Sequence, residues 1–301
     1  MSHVFAALAL SLIVAGSSAA FFTEQTQKPQ RPSESRIRSV YVSVLDGSGK
    51  PVQGLTAADF VVREDGTARE VLKAGPATDP IAIAITIDDS QASTRVVQFV
   101  RDALKSFVKK LDGKAVIALS TFGERPTPLV EYTDNAQQLE KGITRLFARS
   151  GAGAYLLEAL SELSRGIQRR EEPRKAIVVL TVEAGVEFST LYHKPVLDAI
   201  RRSGATLHVF AIGTPSPSDT DEARNRNIVI ADGTELTGGR RDQVLAESGL
   251  TDRLNQFADE LINQYVVSYS RPETLIPPEK IDVSVSKPGL TVRAPKRLPG
   301  K

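Results

Sequence analysis

The sequence has 301 residues, of which 41% are hydrophobic and 25% are charged, so the chain can bury a core and falls outside the disordered class. Its 38 basic and 36 acidic residues leave a net charge of +2. Neither half carries the basic block expected of a protein that binds nucleic acid or an anionic membrane. The absence of cysteine excludes disulfides, zinc–thiolate sites, thiol catalysis and a lipidated cysteine anchor.

The N-terminal residues have the pattern of a signal peptide. Residues 4–15 form a largely apolar run of twelve, shorter than the ~20 residues needed to span a bilayer. Small residues at 16–20 then favour cleavage after Ala20. We therefore predict removal of residues 1–20, a flexible leader over residues 21–36, and export to the periplasm or the medium. Because no Lys or Arg precedes the run, an uncleaved anchor or a misassigned start codon is the alternative.

After the leader, the chain shows the two-residue alternation of antiparallel strands. Apolar and polar side chains alternate over residues 40–44, and a second strand over residues 60–63 runs into a hairpin turn at residues 64–67. The return strand would cover residues 69–73. We predict a β segment over residues 37–76.

A different pattern occupies residues 77–265, where apolar strands alternate with amphipathic helices. Apolar runs predict parallel strands that are covered on both faces, at residues 81–87, 115–119, 176–180 and 207–212. Apolar residues at helical spacing predict helices near residues 97–111, 156–167, 196–200 and 254–265. The alternation predicts an α/β domain, a mostly parallel sheet with helices on both faces. Residues 214–233 are polar and are predicted to form a long loop.

The C-terminal segment, residues 266–301, returns to short strands that are separated by prolines. The predicted strands cover residues 266–270, 281–285 and 291–293. We expect the β elements of the two flanks to pair into one small sheet beside the main domain.

Several segments resemble those of a known protein family. At residues 87–93 an acidic residue directly follows a buried strand, and hydroxyl residues lead from it into a helix. The other segments are residues 51–60, 237–240 and 259–265. Together they resemble the von Willebrand factor A-type domain of bacterial VWFA-related exported proteins, over residues 38–296. The resemblance implies a Rossmann-like sheet and a protein-binding function.

The resemblance also implies a divalent-cation site, the metal-ion-dependent adhesion site, which takes five oxygen-bearing residues. Asp88 and Ser90 match the first two positions, but Ala92, Ala154 and Val182 stand at the other three. Two ligands cannot outcompete the hydration shell of Mg²⁺, so we predict a degenerate site without metal or other cofactor. The alternative is a weak Mg²⁺ or Ca²⁺ site of altered geometry, centred on Asp88 and Ser90.

Ligands of open α/β sheets bind at the carboxyl ends of the strands, so we place the binding surface on that rim. The residues predicted to form it are Asp88, Asp89, Ser90, Ser93, Tyr155 and Glu183. We predict a partner that is a protein, with no nucleic acid and no membrane span after signal cleavage. Two alternatives are a cation-dependent adhesion domain and a scaffold whose flanking sheet recruits a strand by its exposed edge. Asp88 and Asp89 also have a purely structural interpretation, in which their carboxylates accept hydrogen bonds from the free N–H groups at a helix N-terminus.

Residues typical of enzymes are scarce. His208 lies in an apolar strand and is predicted to be structural, whereas His193 is predicted to be solvated. No Gly-x-Ser-x-Gly motif occurs, and residues 151–153 lack the third glycine of a dinucleotide-binding loop. We therefore predict that the protein is not an enzyme.

Overall fold

A computed structural model describes residues 37–215, 217, 219–272 and 277–297. The predicted signal peptide and leader, residues 1–20 and 21–36, lie outside the described residues. Within the described ranges, no helix is both long and apolar enough to cross a bilayer.

The described residues form thirteen strands and six α-helices. The strands are β1 (Ile37–Leu45), β2 (Phe60–Glu64), β3 (Thr67–Arg69), β4 (Val71–Pro76), β5 (Ile81–Ile87), β6 (Ala115–Thr121), β7 (Thr127–Thr133), β8 (Arg174–Val182), β9 (Thr206–Ile212), β10 (Arg241–Val244), β11 (Tyr265–Ser270), β12 (Ile281–Val285) and β13 (Thr291–Arg293). The helices are α1 (Val97–Lys110), α2 (Ala136–Thr144), α3 (Leu156–Gln168), α4 (His193–Ser203), α5 (Asp221–Thr237) and α6 (Leu250–Ile262).

Six strands form the central sheet, in the order β10-β9-β8-β5-β6-β7. The first five run parallel, and β7 runs antiparallel to β6 at one edge. All seven residues of β5 are buried, as an apolar strand in the middle of a two-sided sheet requires. Because parallel strands end at the same edge, the loops after β5, β8, β9 and β10 lie on one rim of the sheet.

Helices cover both faces of this sheet. Alternate residues of β5, such as Ile85, share a hydrophobic core with α1, α2 and α6. The residues between them, such as Ala84, share a second core with α3, α4 and α5. This arrangement confirms the predicted α/β fold with a mostly parallel sheet.

The two flanks pair with each other, but they form two small sheets and not the single one predicted. One sheet has the order β13-β1-β11-β4 and the other has the order β12-β2-β3. Apolar side chains from every strand of these two sheets except β3 meet in a third core between the sheets. The rings of Phe60 and Tyr265, from different sheets, lie 5.4 Å apart within it.

The prediction of a long loop over residues 214–233 is wrong for most of that stretch, because α5 begins at Asp221. The Thr220 side chain caps this helix by accepting a hydrogen bond from the backbone N–H of Ala223. Most of the large apolar residues of α5 are clustered at residues 228–230, and the rest of its buried face is formed by small or polar residues such as Gly233, Thr234 and Thr237. That weak periodicity explains why the sequence pattern favoured a loop.

Candidate functional site

Asp88 joins the carboxyl ends of two neighbouring strands. It follows β5, and its carboxylate accepts hydrogen bonds from the backbone N–H of Ser90 at 3.0 Å and of Val182, at the end of β8, at 3.1 Å. Burial raises the pKa of the Asp88 carboxyl, although these hydrogen bonds and the charge of Arg226 oppose the rise. The side chain of Ser93 is buried as well and donates to the carbonyl oxygen of Ser90.

Asp89 has a different set of partners on the same rim. One carboxylate oxygen accepts from the backbone N–H of Gly123 at 2.6 Å, and the other pairs with Nε of Arg149 at 2.7 Å. Asp89 thereby fastens the loops that follow β6 and α2 to the end of β5. The rim residues Asp88, Asp89, Ser90 and Ser93 are thus brought together, but all four are buried and serve to shape the loops.

The oxygen atoms of Asp88 are partly taken up by hydrogen bonds from the backbone. Each carboxylate oxygen of Asp88 accepts one hydrogen bond from a backbone N–H group, of Ser90 and of Val182. The methyl carbon of Ala92 and one Asp88 oxygen face the same space beside Gly185, where the family pattern calls for another hydroxyl. In the part of the chain that the structure describes, no three His, Asp or Glu side chains are grouped as metal ligands.

The loop after β8 contains a buried carboxylate, Glu187, that caps a helix from another part of the chain. One of its oxygens accepts from the backbone N–H of Leu156, the first residue of α3, at 3.0 Å. The neighbouring Ser189 hydroxyl accepts from Leu157 N–H at 3.0 Å. Burial raises the pKa of Glu187 to about 7, against hydrogen bonds from Ser189 and Leu156 and the charge of Arg226.

Glu187 is not among the site residues predicted from the sequence. One feature of the sequence could have indicated a residue with this role: α3 begins without a capping side chain of its own. Tyr155 stands at the N-cap position and makes no side-chain hydrogen bond there. The exposed amides of a helix N-terminus need acceptors, so another loop must supply them.

Arg226 of α5 lies at the centre of the charged groups on this rim. Its guanidinium donates to the Thr181 hydroxyl at 3.2 Å and lies 3.6 Å from a Glu183 oxygen and 3.8 Å from a Glu187 oxygen. The three charged side chains are 12%, 8% and 2% exposed, respectively. Glu183 therefore lies on the rim and is paired with Arg226. Arg226 was not predicted as a site residue because residues 214–233 were predicted to form a loop.

Tyr155, the remaining predicted rim residue, packs against an aromatic side chain of the loop after β8. Its ring stacks on that of Phe188, with 6.2 Å between centroids. Phe188 occupies the space above Gly153, since a Cβ there would lie 1.9 Å from the ring. Backbone hydrogen bonds join the two loops at Ala154, which donates to Val186 O and accepts from Phe188 N–H.

Exposed apolar side chains are concentrated on this rim. Of eight large ones exposed in the described residues, two lie in the flanking sheets, Ile37 and Leu72. Of the six others, Val186, Phe188 and Tyr192 lie in the loop after β8, Leu245 follows β10, Phe147 lies in the loop before α3, and Phe99 is in the first turn of α1. The side chain of Arg101 stacks on Phe147 at 4.6 Å, so this part of the surface combines an aromatic ring with a guanidinium.

The two histidines in the described residues have structural partners. His208 is buried, its ring lies 4.4 Å from that of Phe257, and burial lowers its pKa well below the ordinary value. His193 is half-buried and hydrogen-bonded to Asn225, so it is not a solvated residue as the sequence suggested.

Residues 83–183 match the sequence profile of the von Willebrand factor type A domain. This stretch runs from β5 to the end of β8 and includes Asp88, Asp89 and Glu183. The chain therefore contains a von Willebrand factor type A domain, as its resemblance to that family predicted. No curated protein matches the chain.

Solved structures also resemble it. A von Willebrand factor type A protein from Catenulispora acidiphila is 12% identical, with a TM-score of 0.48, and the match covers 88% of this chain and 74% of that chain. The BatB protein of Bacteroides thetaiotaomicron is 14% identical, with a TM-score of 0.45 and coverage of 60% and 98%. The von Willebrand factor domain of the type V pili tip protein Mfa5 from Porphyromonas gingivalis is 12% identical, with a TM-score of 0.46 and coverage of 62% and 96%.

Proposed function

We propose that this chain is an exported, non-enzymatic binding module that recognises a protein partner on the carboxyl-end rim of its central sheet, without metal. The observation that carries the proposal is the concentration of exposed apolar side chains on that rim. Contiguous exposed apolar surface marks protein interaction sites, and aromatic and arginine side chains contribute most of the energy at such interfaces.

The loop after β8 is suited to this role because it is held in place before any partner arrives. Glu187 and Ser189 hold it to the start of α3, and Glu158 of α3 accepts hydrogen bonds from both Thr190 N–H and its hydroxyl. A loop that is already ordered loses less conformational entropy on binding. In this proposal Val186, Phe188 and Tyr192 contact the partner, and the buried rim residues predicted from the sequence shape the surface.

The non-enzymatic part of the proposal is supported by how the rim uses its acidic groups. Asp88, Asp89 and Glu187 each accept hydrogen bonds from backbone N–H groups of other loops. Such carboxylates hold structure, and they would have to give up these bonds to act as a base. Export is supported by the signal-peptide pattern of residues 1–20.

Site-specific photo-cross-linking tests the proposal. A photoreactive phenylalanine analogue in place of Tyr192, which is 71% exposed, is expected to cross-link the full chain to a partner protein in cells of the source organism. Adding Val186→Glu to the same chain should abolish the adduct, because a charge at the centre of an apolar contact is desolvated without compensation.

Leu72 provides the matched control, since it is exposed on β4, the edge strand of the flanking sheet. The same analogue at position 72 should give no adduct. Cross-linking from position 72 but not from position 192 would favour strand recruitment by the flanking sheet and would overturn the proposal.

A further inference from the structure

We infer that Arg226 is the resident cation of the rim: its guanidinium supplies, from within the chain, the positive charge that holds the carboxylate-bearing loop after β8 in place. The chain position of this residue, on α5, is remote from the pattern that defines the family's cation site.

The geometry places the guanidinium among groups from three elements. It donates to Thr181 at the end of β8 and lies within 4 Å of oxygens of Glu183 and Glu187 in the following loop. The charge of Arg226 also opposes the rise that burial causes in the pKa of Asp88, after β5. The neighbouring residue Asn225 accepts from His193 at the start of α4, which fixes this turn of α5 against the same loop.

The energetics explain why a cation is needed here. Glu183 and Glu187 have side chains that are 8% and 2% exposed, and a buried carboxylate without a counter-charge is costly. A divalent ion would need several oxygens at short distance, whereas a guanidinium offers five donors in a planar fork and can bridge groups that are farther apart. With oxygens of Glu183 and Glu187 at 3.6 and 3.8 Å from its guanidinium, Arg226 can pair with both carboxylates.

If the proposed binding surface is correct, the pairing of Arg226 also limits how the partner is recognised. The guanidinium is 12% exposed and is already engaged by Thr181 and two carboxylates, so a partner carboxylate has no open positive charge to bind at this position. The partner is therefore recognised through apolar and aromatic contacts with Val186, Phe188 and Tyr192, and not through a bridging acidic residue.

Thermal unfolding of the full chain at pH 8 in EDTA tests the inference. Arg226→Met keeps much of the side-chain volume but removes the charge, and it should lower Tm by roughly 5–10 °C because it leaves buried carboxylates unpaired. Glu183→Gln and Glu187→Gln introduced together into that variant should restore most of the loss. Because Glu187→Gln is expected to stabilise the chain at this pH even when Arg226 is present, the two glutamines are also introduced into the wild type. The inference predicts a larger rise in Tm in the Arg226→Met background, and an equal rise in the two backgrounds would overturn it.

Two controls complete the experiment. Arg224→Met lies two residues away on α5, in an exposed ion pair with Asp221, and should change Tm little. The wild-type chain should melt at the same temperature in EDTA and in millimolar Mg²⁺ or Ca²⁺. A rise of several degrees with either ion that Asp88→Ala abolishes would assign the charge to a metal and overturn the inference. Melting requires no partner, so its outcome is independent of the cross-linking experiment.

Discussion

Wild-type protein should lose up to about 3 kcal/mol of unfolding free energy through Glu187 as the pH rises from 4.5 to 8, and Glu187→Gln should remove this loss. The pKa of Glu187 is about 7 in the folded chain, compared with an ordinary value of 4.5. The folded state therefore binds more protons than the unfolded state between these two values. The resulting stabilisation is fully present below pH 4.5 and is lost as the pH rises through 7.

Urea unfolding at pH 5 and at pH 8 measures this difference. Glutamine keeps an oxygen that can accept from Leu156 N–H, so the variant should match the wild type at pH 5 and exceed it at pH 8. Burial also raises the pKa of Asp88, so the pH dependence that arises from Asp88 should persist in the variant. Equal pH dependence in the two proteins would show that Glu187 is not protonated in the folded state near neutral pH.

Asp89→Ala should lower the unfolding free energy by about 2–3 kcal/mol, since it leaves a buried N–H without an acceptor. The carboxylate accepts from Gly123 N–H and pairs with Arg149, and its side chain is 6% exposed. Arg149 is partly exposed and can be hydrated, so the unsatisfied Gly123 amide accounts for most of the cost. Chemical denaturation at neutral pH measures the change.

Glu124→Ala is the matched control because Glu124 also lies near Arg149, at 3.7 Å, but is 60% exposed. An exposed pair of this kind contributes below about 1 kcal/mol. If Glu124→Ala proved as costly as Asp89→Ala, the rim loops would be held by surface charge and not by the buried carboxylate.

The sequence predicted the central fold well where the local pattern was strong. The apolar run of β5 and the helical spacing in α1, α3 and α6 each determine both the type of element and its buried face. No prediction was made for β7 or α2. β7 is an edge strand that includes Pro128 and has no fully buried residue, so its alternation is weak. α5 was mistaken for a loop because its apolar residues are clustered.

The position of Asp88 and Asp89 on the rim could also be predicted from the sequence, but the contacts that bury them could not. Asp88 and Asp89 directly follow a buried parallel strand, and the strand-end rule places them on the rim. Their burial could not be predicted, because it depends on Val182, Gly123 and Arg149, which are distant in sequence. The role of Arg226 could not be predicted for the same reason, because its partners precede it by about forty residues along the chain.

The most direct test of the account is photo-cross-linking from position 192, carried out in parallel in EDTA and in millimolar Mg²⁺. The rim is proposed to bind through apolar contacts around a resident guanidinium, so the adduct should form equally in both conditions. It should also survive Asp88→Asn in any preparation that remains folded. An adduct that forms in Mg²⁺ and disappears in EDTA would contradict a metal-free binding surface and would restore the cation-dependent alternative centred on Asp88 and Ser90.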